Sequence, residues 1–104
     1  MARGKEIIME QIDFDPKIAE EYGLQEAVIL ALIQKEVAAA RMVNINLYGG
    51  RYWVRKSWMD LYAQLPFIRK YRIKEALQKL VEAGLLVEGY YNEDPFDRTK
   101  WYSI

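Results

Sequence analysis

At 104 residues the chain has the length of a single domain, and its 52% apolar content describes a folded globular protein rather than a disordered one. With neither cysteine nor histidine, it has no means to build disulfides, iron–sulfur clusters, thiolate or histidine metal sites, or Ser-His-Asp and Cys-His catalysis. Net charge is zero but unevenly spread: residues 1–50 carry five basic and eight acidic side chains, residues 51–84 eight and three, and residues 85–104 two and four.

No carboxylate pair stands at a catalytic spacing, so we expect no enzyme and no cofactor. No apolar run approaches the ~18 residues that span a bilayer. No long apolar segment follows Met1 to Glu6, so no secretory signal is expected, and the host-cell cytoplasm or nucleoid is the expected location.

In chain order, Glu6 to Glu10 reads as a short strand or extended arm. Asp15-Pro16 is a helix start, with Asp as N-cap and Pro at the first helical position. That helix runs to Tyr22 and stops at Gly23. Residues 1–22 thus form an arm and a short helix ahead of the main unit, residues 23–104.

Residues 24–42 form the longest helical candidate, free of Gly and Pro. Its apolar residues Leu24, Ala27, Val28, Leu30, Ala31, Leu32, Ile33, Val37 and Ala38 cover more than one stripe. Such a helix is either central in the core or shared with a second copy in a homodimer.

Residues 44–50 read as a turn-rich loop and Tyr52-Trp53-Val54 as a short strand. Ser57 with Asp60 matches a capping box that opens a helix over residues 58–65. Trp58, Leu61, Tyr62 and Leu65 share one face of it, and Pro66 ends it. The next helix covers residues 69–83, with Ile73, Ala76, Leu77 and Leu80 as its apolar stripe and Gly84 as its stop. Residues 85–91 and 98–104 are β-prone and are joined by turn formers from Asn92. The order of elements implies an α+β fold, mainly helical: a winged helix-turn-helix with an N-terminal helical extension.

That fold points to double-stranded DNA as the partner. Opposite Ile73 and Leu80, the third helix displays Tyr71, Lys74, Glu75 and Gln78, which are long enough to reach base edges in a major groove. Arg55, Lys56, Arg69, Lys70, Arg72 and Lys79 are candidates for phosphate contact, with Ser57 beside the first two. Arg98 and Lys100 flank the hairpin tip, although Glu93, Asp94 and Asp97 there would repel DNA, so Arg98 has Asp97 or Glu93 as alternative partners. Arg69, Lys70 and Arg72 crowd the positive end of a helix that has no capping side chain. A phosphate would relieve that arrangement. The tryptophans sit on strands or an apolar stripe and are expected in the core.

Three blocks resemble the N-terminal winged-helix domains of bacteriophage and plasmid replication initiators, or replisome organisers. They are Tyr22 to Leu30; Trp53-Val54 with Trp58 and Pro66-Phe67; and Ile73-Lys74 with Leu80 and Gly84-Leu85-Leu86. Asn92 and the closing run Asp97 to Ile104 match as well, so the resemblance covers roughly residues 20–104. It implies DNA binding in replication initiation and replication proteins as partners. The family places Ser or Thr where this chain has Arg69 to Arg72, so no target sequence is implied. Such proteins often continue into a second domain. A chain ending directly after the wing is expected to be a trimmed piece of one or a small stand-alone DNA binder. A transcriptional regulator using the same surface and a protein-interaction module without DNA binding are the alternatives.

Overall fold

The computed structural model describes residues 12–104, so the expected strand or arm at Glu6 to Glu10 lies outside the described residues. Among the described residues, four helices and two small antiparallel sheets form an α+β arrangement, and about half of those residues are helical. Among the described residues no helix is long and apolar enough to cross a membrane.

Helix α1 is Pro16–Tyr22; the Asp15 carboxylate caps it by accepting from the Lys17 N–H at 2.9 Å. Helix α2 is Leu24–Val43 and stops at Asn44, which adopts the left-handed conformation at φ 56°. Its first half is the centre of the fold, with Ala27, Ile29, Leu30, Ala31, Leu32 and Ile33 all buried. That is why its apolar residues form more than one stripe: the sheet, α1 and α4 all pack on it. From Gln34 onward only Ala40 is buried.

Strands β1 (Leu47–Tyr48) and β2 (Arg51–Tyr52) form a hairpin where a plain loop was expected. Gly49 and Gly50 turn it, at φ of 60° and 78°. Two consecutive positive φ values match a two-residue primed turn, whose twist suits paired strands. The expected strand over residues 52–54 is divided. Trp53 is buried, its N–H donates to the Asn46 carbonyl and its indole N–H to the Tyr48 carbonyl. Strand β3 (Val54–Arg55) then pairs in a different sheet.

Helix α3 (Trp58–Gln64) opens with the expected capping box: the Ser57 hydroxyl accepts from the Asp60 N–H and the Asp60 carboxylate from the Ser57 N–H. That backbone N–H, followed by the Ser57 hydroxyl and nearby Lys56 and Arg55, holds the Asp60 carboxyl below the usual range. Leu65, before Pro66, ends the helix. Helix α4 is Lys70–Glu82, and Gly84 follows in the left-handed region at φ 79°.

The second sheet has the order β3–β5–β4, all antiparallel, with β4 at Val87–Gly89 and β5 at Trp101–Ser103. Both closing strands are shorter than the expected 85–91 and 98–104. Side chains replace the ladder near the tip: the Asn92 amide donates to the carbonyls of Asp97 and Thr99, and the Asp97 carboxylate accepts from the Thr99 N–H and hydroxyl.

The helical face of this sheet, with Val54, Leu86 and Tyr102, joins Ile29, Ile33, Leu61, Leu65, Ile68, Ile73 and Leu80 in one core. Burial pushes the Tyr102 hydroxyl well above its ordinary pKa. Residues alternate along a strand, so Trp101 points to the other face. There it meets Tyr48 and Tyr91, edge-on at centroid distances of 5.9 and 6.0 Å. Tyr91 stacks on Tyr48 at 4.6 Å, and this aromatic cluster seats the β1–β2 hairpin.

Candidate nucleic-acid interface

Helix α4 buries Ile73, Ala76, Leu77 and Leu80 against the core. Tyr71, Lys74, Glu75 and Gln78 are therefore exposed, as the periodicity predicts. Gln78 donates to Glu82 at 3.1 Å. The two flanks of α4 differ. One flank, with Lys74 and Gln78, forms a wall of a cleft of about 610 Å³. The other walls are the start of α3, at Lys56, Ser57 and Trp58, and the β4–β5 segment, at Arg98, Lys100 and Tyr102. The floor is apolar, with Leu77 and Val81. The opposite flank, with Arg72 and Lys79, faces the α1–α2 junction.

The cations divide into two groups. Arg55 donates to Asn92 and is ion-paired with Asp97. Lys56 is mostly buried and bridges Glu36 at 2.6 Å and Gln64 at 2.9 Å. Lys100 pairs with Glu88 at 2.8 Å, which raises its pKa. Arg72 donates to Gln25 and Glu75 at 3.0 and 2.8 Å, and the bond to Glu75 raises its pKa. Lys79 donates to the Tyr22 carbonyl at 2.9 Å. These five were expected at phosphates or near a groove, and in the fold each also has an internal partner. A paired cation offers a phosphate less, since it must first leave its carboxylate.

Arg69, Lys70, Lys74 and Arg98 remain, with no ion-pair partner among the described residues. Lys70 and Lys74 sit over the Trp58 ring at 5.6 and 5.0 Å. That contact aligns two ammonium groups along one edge of α4 without neutralising either. Arg98 is exposed across the cleft. Neither expected alternative partner is ion-paired with it: Asp97 is held by Arg55, and Glu93 forms no ion pair with Arg98. Arg69 is the N-cap of α4 and makes no side-chain capping bond, so the helix start is uncapped as its sequence implies.

No family model, curated protein or solved structure matches this chain. The reading of the site therefore rests on its residues. Trp53 and Trp101 are buried, whereas Phe67, Tyr71 and Phe96 are exposed and lie within two residues of Arg69, Lys70 and Arg98 respectively. Among the described residues no three acidic side chains cluster so that they could hold a metal ion.

Sequence reasoning missed two carboxylates that decide which cations are free. Glu36 holds Lys56, and Glu26, only 1% exposed, lies near Arg72 and Lys79. Glu26 carries one local signal, an acid in the first turn of a helix, where the macrodipole favours it. Glu36 carries none.

Proposed function

We propose that the chain is a winged helix-turn-helix that binds double-stranded DNA, with α4 as the recognition helix and the β4–β5 segment as its wing. The observation that carries this reading is the row of unneutralised cations on α4, Lys70 and Lys74 over the Trp58 ring, with Lys74 lining the same cleft as the unpaired Arg98. In this docking α4 enters a major groove, Tyr71, Glu75 and Gln78 approach base edges, Lys74 turns to the backbone instead of a base edge, and the wing reaches the adjoining backbone. One DNA strand then crosses the cleft, with its phosphates between Lys74 and Arg98. Arg69 and the free N–H groups at the start of α4 take a further phosphate. A role in phage or mobile-element replication initiation rests on the sequence resemblance alone.

Duplex titration across a salt series tests the reading. Four free cations at about 0.9 per phosphate give an expected slope of roughly −3 to −4 in log K against log salt. A flat response overturns it. Zero net charge and the internal pairing of five basic residues favour a second reading, a protein-interaction module that keeps the fold without binding DNA. A flat salt response is the result that reading expects.

A further inference from the structure

Glu26 is a buried carboxylate at the first turn of α2, and its Oε2 accepts no hydrogen bond among the described residues. Two cations from α4 face that oxygen: Lys79 Nζ at 3.4 Å and Arg72 Nη2 at 3.6 Å. Both contacts are long for a charge-assisted hydrogen bond, which runs near 2.7–2.9 Å, but are close enough for strong attraction. The room for the carboxylate comes from Gly23. At φ 117° it occupies a conformation that L side chains rarely adopt, and a Cβ there would collide with Glu26 Oε1. Tyr22-Gly23-Leu24-Gln25-Glu26 thus builds one acceptor nest: the Tyr22 carbonyl and Glu26 for Lys79, Gln25 and Glu26 for Arg72.

We propose that Glu26 acts as an internal phosphate substitute: it holds Arg72 and Lys79 against the α1–α2 junction and so limits how many cations α4 offers to DNA. Each of these side chains is at least a third exposed, so a backbone phosphate can reach it. When a cation turns outward it leaves a buried carboxylate less compensated, which penalises the additional contact. Glu26 therefore lowers affinity for DNA of any sequence and leaves recognition to the base-facing residues. This inference rests on the DNA reading of α4.

The test is Glu26→Gln, with Glu20→Gln on exposed α1 as the control for one unit of added charge. In duplex titrations Glu26→Gln is expected to steepen the salt slope by about 0.9 for each cation released and to raise low-salt affinity at least about threefold. The control is expected to do neither. Acylation of Lys79, measured by peptide mass spectrometry against Lys74 as the reference, is expected to rise several-fold in Glu26→Gln. An unchanged slope in a variant that binds duplex overturns the proposal, as does unchanged Lys79 reactivity. If the native chain does not bind duplex, the DNA reading fails by itself, and Lys79 reactivity still decides whether Glu26 holds that cation. If Glu26→Gln does not fold, Arg72→Gln and Lys79→Gln decide. Each is expected to change the native slope by less than about half a unit, and a loss of a full contact overturns the proposal.

Discussion

At the residue scale, the behaviour of this chain depends on which charges find partners. Asp97 accepts from the Thr99 hydroxyl and N–H and faces the Arg55 guanidinium, which together lower its carboxyl to about 2. The unfolded value is near 3.9. A group depressed on folding stabilises the native state above its unfolded pKa, and that contribution is lost as pH falls through the folded one. Acid unfolding should therefore steepen between about pH 4 and pH 2, and Asp97→Asn should flatten that part of the curve. Denaturant midpoints measured across that range check this; identical pH profiles for the two proteins would count against it. Composition could not show this pairing. Arg55 and Asp97 are 42 residues apart, and turn propensity alone does not favour one cation near the tip over another.

At the element scale, local chemistry was legible. The Ser57–Asp60 box, Asp15 before Pro16, the stop at Pro66 and the stop at Gly84 are all interactions within a few residues, and each stands where the sequence places it. The uncapped start of α4 gives a paired prediction. Arg69→Asp supplies a capping carboxylate at the positive helix end and should stabilise by about 0.5–1 kcal/mol. Arg72→Glu looks equivalent on the helix alone. In the fold it would set a carboxylate against Glu26, Gln25 and Glu75 and should destabilise by about 3 kcal/mol or more. Thermal melts of the two variants should move in opposite directions; equal shifts would mean that Arg72 does not face Glu26. Strand lengths were less legible, since Asn92 and Asp97 displace the ladder through contacts that β propensity does not encode. Gly89 shows the same limit: a Cβ there would sit 3.0 Å from the Tyr91 ring and 3.1 Å from Trp53. Gly89→Ala should cost about 1–3 kcal/mol in denaturant unfolding through overpacking. A neutral result would show that the aromatic cluster gives way.

At the scale of the whole molecule, the candidate surface exists only because α3, α4 and the β4–β5 segment converge on one cleft. Lys74 and Arg98 line it from different elements. If one duplex spans both, Lys74→Gln and Arg98→Gln should each reduce the salt slope by about 0.9, and the double variant by about twice that. A slope altered by Lys74→Gln and untouched by Arg98→Gln would confine binding to α4. A homodimer through α2 is also narrowed at this scale. Residues 27 and 29–33 are buried within the chain, so its exposed apolar surface is Leu24 at one end and the stretch from Ala38, apart from buried Ala40 and including Met42 at 86% exposure, at the other.

The sequence by itself determined the helices and their order, because caps, stops and apolar periodicity act over one or two turns of chain. It also determined the buried face of α4, since a helix with one apolar stripe has one way to lie on a core. Only the tertiary structure decided which basic residues remain available. Lys56, Arg72 and Lys79 are quenched by Glu36, Glu26 and a carbonyl of the α1–α2 junction. Coulomb attraction acts through space, so the free cations are those that the packing of distant segments leaves without a carboxylate.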